Sequence, residues 1–330
     1  MLLQTLLLAS TASATCLHGL SKFAKRAGEG EEGAVEVGKF GYTGLVGPFN
    51  WAALAPENEA CKTGKQQSPI NIEDGVIALA TEKPVLDIPE QAVEFENLGT
   101  TIEVIANGTT KFAGSDFRLK QFHFHTPSEH RINEEYFPLE MHMVHEGVTD
   151  ANSIAVISVL FQLSTGEPNP VVKGLQPHLQ AIREPGTKTE IEGLPLESLV
   201  EHVQNVELFQ YGGSLTTPPC AEGLTFLVTK EPLQIDVDTF NEMKSIVKFN
   251  SRYTQNVLGE ENLIAVGNVA GTADQFSVEQ PEAGEPIATN ATANATATIA
   301  GQPTKGHTIT VSEIQGTPTY VVGVVQKKAH

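Results

Sequence analysis

The sequence is short of several things, and each shortage narrows what the chain can be. No run of about 18 uninterrupted apolar residues occurs, so no membrane-spanning helix is expected. Basic residues are few: 21 Lys and Arg stand against 40 Asp and Glu, a formal charge of −19. That balance opposes nucleic acid and anionic lipid and leaves a small molecule or a protein as partner. Charged residues reach only 18% against 40% hydrophobic, which supports a sizeable core and argues against wholesale disorder. Cysteines number three, too few for more than one bridge. The final residues, QKKAH, are polar and offer no hydrophobic tail that a lipid anchor would replace.

What is present at the start points to the secretory route. MLLQTLLLASTASAT carries an apolar run followed by small residues, so residues 1–14 are expected to be a signal peptide, although no positive charge precedes the run. Lys25-Arg26 and the acidic GEGEEG follow, which makes 15–38 a pro-segment with an acidic leader; the alternative is an exposed charge pair in a loose terminus. Removing that stretch removes Cys16 and leaves Cys61 and Cys220. Sequons at Asn107, Asn290 and Asn294 are candidate glycosylation sites and fit a secreted, extracellular or cell-wall protein. At the other end, 269–330 reads as an Ala/Thr-rich linker (ATNATANATATIA) and a tail whose last part, HTITVSEIQGTPTYVVGVV, is β-like.

Between them, 39–268 is expected to form one domain. Its texture is mostly β, short apolar runs punctuated by Gly, Pro and Asn, with strands at TIEVIA, QFHFH, LEMHMVH and SIAVISVLFQL. Helices are predicted near VVKGLQPHLQAIRE and DVDTFNEMKSIVKF, the second capped by Asp236 or Asp238 with Phe240, Met243 and Val247 at helical spacing.

One stretch, QFHFHTPSEH, carries chemistry. Alternation puts His123 and His125 on one face of a strand and Phe122 and Phe124 on the other. LEMHMVHEG supplies His142 at a distance natural for the neighbouring antiparallel strand, completing three ligands with an open fourth position, the pattern of catalytic zinc. Gln121 and Glu140 share their faces with His123 and His142 and can orient them. His-x-His followed by Glu129 also matches the metal motif of cupin barrels, in which Glu129 would be a ligand, but His142 follows too soon for that pattern.

GGSLTTPPC then decides between the two. With QFHFH, SEH, EMHMVH and SLTTPP in order, FGYTG and QSPINI before them and FNSRYTQN after, the chain resembles the α-class carbonic anhydrases from about Phe40 to Val266. The resemblance implies a central twisted, largely antiparallel sheet of about ten strands with small peripheral helices. It implies Zn²⁺ on His123, His125 and His142, supported by Gln121, Glu140 and, for His125, Asn250. The activity implied is reversible hydration of carbon dioxide to bicarbonate by zinc hydroxide, with side activity on activated esters and inhibition by anions and sulfonamides. A binding or scaffold protein on the same fold is the alternative, but such relatives lack ligand histidines.

By the same resemblance, Thr216 accepts from the hydroxide and donates to Glu129, and Thr217 contacts bicarbonate or solvent. Val144, Val156, Leu215 and Phe226 form the apolar wall for carbon dioxide. Cys61 and Cys220 are placed as in secreted members with a disulfide bracing the threonine loop, free thiols being the alternative. The family's fast members carry a proton-shuttling histidine after an Asn-Gly turn; here VIANGTTKF puts Thr109 there, so proton transfer is expected to limit the rate.

Overall fold

Leu20 and residues 35–269 are described by the structure, a computed structural model. The predicted signal peptide, Cys16, Lys25-Arg26, Asn290, Asn294 and the chain from 270 onward lie outside the described residues.

Alternation of side chains between two faces sorts the residues of each strand. In the strand Ser115–His125, Phe122 and Phe124 enter one core while His123 and His125 face the other way. Ten such strands form one sheet: β1 (Val85–Asp87), β2 (Gln91–Asn97), β3 (Ile102–Phe112), β4 (Ser115–His125), β5 (Leu139–Gly147), β6 (Ile154–Ser164), β7 (Lys188–Leu194), β8 (Leu208–Ser214), β9 (Glu222–Thr229) and β10 (Leu233–Asp236). Their order is β7-β2-β3-β4-β5-β6-β9-β8, with β1 beside β3 and β10 beside β6. All pairings are antiparallel except β9 and β10 against β6. A small second sheet pairs Asn71–Ile72 of QSPINI with Arg131–Ile132 and ties that segment to the loop after β4.

Three helices cover the face opposite the histidines. Pro170–Leu175 (α1), capped by Asn169, continues as a 3-10 turn over Gln176–Ile182. Val237–Val247 (α3) is capped by Asp236, whose Oδ1 accepts from the amides of Asp238 and Thr239 at 3.0 and 2.9 Å. Glu197–Asn205 (α2) was not anticipated; its Leu199 and Val203, one turn apart, are buried. These helices pack Val171, Leu175, Leu199, Val203 and Met243 onto Phe122, Phe124, Met141 and Met143. Fully burying side chains of this size contributes about 1.5–3 kcal/mol each.

One sequence-based expectation fails here. Asn107-Gly108 makes no turn: it lies inside β3, where the register against β4 shifts between Ile105 and Gly108. A glycine is needed because a Cβ on Gly108 would stand 2.6 Å from Ile88 Cγ1. The hairpin is instead closed by Ala113-Gly114, with φ of 49° and 73°, the pair of positive values that a two-residue turn of matching twist requires.

Candidate active site

Register builds the site. His123 in β4 lies directly opposite His142 in β5, and His142 opposite Ser158 in β6. Directly opposed residues share a face, so one row across three strands points into the same space, and His125 joins it two positions along β4. Going the other way, His123 is opposite Glu103 in β3, and Glu103 opposite Glu96 in β2, two buried carboxylates that the sequence did not single out.

Each imidazole is held by one nitrogen. Gln121 Oε1 accepts from His123 Nδ1 at 2.8 Å, the Asn250 carbonyl accepts from His125 Nδ1 at 2.9 Å, and Glu140 Oε1 accepts from His142 Nε2 at 2.7 Å. Asn250 thus supports His125 through its main chain; its amide side chain spans Thr100, Phe124 and Thr126. The other ring nitrogens are Nε2 of His123, Nε2 of His125 and Nδ1 of His142, and ligand atoms of the three residues lie within 4.8 Å of one another. His125 Nε2 is buried without a hydrogen-bond partner, an orphaned acceptor that a cation would satisfy. Burial lowers the basicity of all three, with the neighbouring imidazoles adding to it at His123; His125 falls to about 4. They are therefore neutral near pH 7, the form that binds a metal. Three neutral nitrogens with no thiolate among them fit Zn²⁺ with an open position.

Glu140 is the hub beneath. It accepts five hydrogen bonds: from His142 Nε2, His130 Nδ1, Ser158 Oγ and the amides of Glu129 and His130. Burial alone would raise its pKa, but His130 and His142 and the bonds they donate hold it well below the usual carboxylate range. This saturation explains why His130, Glu140 and His142 form a second compact group of ligand-type atoms without being a metal site. A hydrogen-bonded chain continues from it, in which Tyr211 Oη lies 2.6 Å from His130 Nε2 and 2.8 Å from Ser68 Oγ. Ser68, Ser158 and Tyr211 were not foreseen; His130 appeared only as the last letter of SEH.

Glu129 stands above the cluster, its Oε2 3.6 Å from His125 Nε2 and 3.9 Å from His142 Nδ1. Its Oε1 accepts from the Arg252 amide at 2.8 Å, and the Thr216 hydroxyl also bonds to the carboxylate. Burial pushes its pKa up to about 7, opposed by His142 and by these hydrogen bonds. A cation held by the histidines would act in the same direction as those bonds and favour the ionised form.

The loop bearing Thr216 and Thr217 is braced by a disulfide between Cys61 and Cys220 and by Gln67 Nε2 donating to the Cys220 carbonyl at 3.0 Å. Arg252, stacked at 5.6 Å over Trp51, donates to the carbonyls of Ser68 and Cys61. Val144, Val156, Leu215 and Phe226 form one apolar cluster beside the histidines. Histidines, threonines and apolar wall alike are at most 2% exposed.

Thr109, the predicted shuttle position, pairs with Arg118 and Asp87 in β3, six positions beyond Glu103 and past the irregularity at Gly108. Asn107, beside it, is exposed on the strand.

Residues 46–263 match the family model described as eukaryotic-type carbonic anhydrase. A carbonic anhydrase of Pectobacterium atrosepticum is 33% identical over 227 residues, covering 67% of this chain and 88% of that protein. The fungal alpha carbonic anhydrase of Aspergillus oryzae superposes with a TM-score of 0.67 at 40% identity, covering 72% of this chain and 100% of that one. The alpha carbonic anhydrase of Thermovibrio ammonificans, solved with the inhibitor sulfanilamide, superposes with a TM-score of 0.61 at 34% identity, covering 68% and 97%.

Proposed function

Since the chain belongs to the eukaryotic-type carbonic anhydrase family, we propose that it is a secreted zinc enzyme hydrating carbon dioxide by attack of a hydroxide oxygen that Thr216 aims. The observation that carries this is the convergence of three neutral imidazole nitrogens beneath a threonine hydroxyl bonded to a buried carboxylate. Zn²⁺ on His123, His125 and His142 would supply a Lewis acid that lowers the pKa of water to about 7.

The chain's own residues do the rest. A threonine hydroxyl has one proton; donating it to ionised Glu129 leaves Thr216 only able to accept, which fixes the attacking oxygen's proton and turns a lone pair toward the substrate. Carbon dioxide is apolar and rests against Val144, Val156, Leu215 and Phe226, while Thr217 offers a hydroxyl to the bicarbonate formed. Gln121, Glu140 and the Asn250 carbonyl fix the tautomers of the imidazoles and so which nitrogen of each would face the cation. The proton released goes to solvent or buffer. Activated esters present a carbonyl carbon to the same oxygen and are expected to be slow side substrates, with anions and sulfonamides as inhibitors. A scaffold role on this fold has no observation in its favour, because ligand nitrogens and the Thr216–Glu129 pair are all in place.

The test is the stopped-flow hydration rate of protein from a secretory host, before chelation, after it, and after zinc is restored. Activity that vanishes and returns with zinc supports the reading. A folded, zinc-loaded protein without activity would overturn it.

A further inference from the structure

A cavity of about 360 Å³ shares Glu129 with the histidine site but none of its histidines, its two threonines or its apolar wall. That volume lies at the lower end for small-molecule pockets and suits a ligand of one or two rings. The lining is aromatic: Tyr42, Phe49, Tyr136, Phe249 and Tyr253 all contribute. Among the described residues three Phe, Tyr or Trp side chains are exposed, Phe49 at 76%, Tyr136 at 65% and Phe249 at 56%, and all three are at this cavity. Exposed apolar side chains scattered singly need no explanation, whereas exposed aromatics gathered at one concavity mark a binding site. Phe49 is already stacked on Tyr253, centroids 4.7 Å apart and planes within 10°, the arrangement a further flat ring would extend.

The charges around the cavity select the ligand. Arg131 lines it and is exposed, and its guanidinium makes no hydrogen bond or ion pair with the described residues. The short ribbon of Arg131–Ile132 and Glu135–Tyr136 sets Arg131 directly opposite Tyr136, so cation and ring share a face, while alternation turns Glu135 to the other. The remaining charges are engaged: Arg252 donates to the carbonyls of Ser68 and Cys61, and Glu129 takes the Arg252 amide on Oε1 and has Oε2 3.6 Å from His125 Nε2. A guanidinium presents parallel N–H donors that match a carboxylate, and the aromatic faces beside it match a ring. We propose that this cavity binds a small aromatic carboxylate, its ring against Phe49, Tyr136 and Phe249 and its carboxylate on Arg131. The site stands apart from the metal cluster and does not rest on the hydration reading.

The test titrates the full chain with 4-hydroxybenzoate, with zinc restored and again after chelation, by calorimetry and by saturation-transfer NMR observed on the ligand. The affinity is expected to be the same in both forms, because no metal ligand takes part. Arg131→Gln should weaken binding about fivefold, as for a well-aligned but exposed ion pair, and Phe249→Ala about two- to tenfold, the worth of one aromatic contact. Both side chains are exposed, so the variants should keep the wild-type urea midpoint. The uncharged 4-hydroxybenzyl alcohol should bind wild type about fivefold more weakly than the acid and be indifferent to Arg131→Gln. Binding that disappears on chelation would put the carboxylate on the metal instead and overturn the proposal. An affinity unmoved by either substitution, or no binding by either method, would overturn it as well.

Discussion

Glu129→Gln isolates hydrogen-bond direction from shape. In the native site one carboxylate oxygen is anchored by the Arg252 amide at 2.8 Å and the group also bonds to Thr216. Glutamine has one acceptor oxygen and an NH₂ that can only donate. Because the Arg252 amide can only donate, it competes with the Thr216 hydroxyl for the single glutamine oxygen, and where the NH₂ faces Thr216 it donates to it. The Thr216 hydroxyl then turns its own proton onto the attacking oxygen and blocks the lone pair it should orient. Losing one preorganised interaction of this kind costs about 10²–10³ in rate, roughly 2.7–4 kcal/mol. The assay is kcat/KM for carbon dioxide by stopped flow, with zinc content measured on the same sample. A variant that keeps full zinc and stays within about threefold of the wild-type rate, about 0.7 kcal/mol, would refute the directional role of Glu129.

Three other outcomes are expected. His125 and His145 are held at about 4 by burial, against 6.5 when exposed. As pH falls below 6.5 the unfolded chain takes up protons that the folded metal-free protein refuses. Each histidine therefore removes about 1.4 kcal/mol of stability per pH unit until about pH 4. Metal-free protein with the same urea midpoint at about pH 7 and about pH 5 would contradict this. Replacing Cys61 and Cys220 by serine opens a covalent loop with a sequence separation of 159, which chain entropy values at about 5 kcal/mol; urea unfolding that shows a loss below about 1 kcal/mol would mean the unfolded state stays constrained without the bridge. Thr109→His should raise the hydration rate in weak buffer, because an imidazole can pass on the proton that a threonine cannot; a rate that stays unchanged would show that proton transfer through this position does not limit turnover.

How far the sequence was legible depends on the range of the interaction that fixes each feature. The histidine faces were legible because a strand's period of two is local: QFHFH and EMHMVH sort their own side chains, and antiparallel pairing then sets His123 against His142. Asp236 as a cap followed from a pattern within a few residues. Asn107-Gly108 misled because the same dipeptide serves a turn or a bulge, and Ile88, approaching from the chain just after β1, decides between them. The chain from Ser68 through Tyr211 and His130 to Glu140 was hidden because its members come from four separate segments and meet only in the folded sheet. Burial adds the last distinction. A row of histidines can be read from letters, but its neutrality comes from the walls around it, and those walls at Val144, Leu215 and Phe226 are ordinary core residues until the histidines stand beside them.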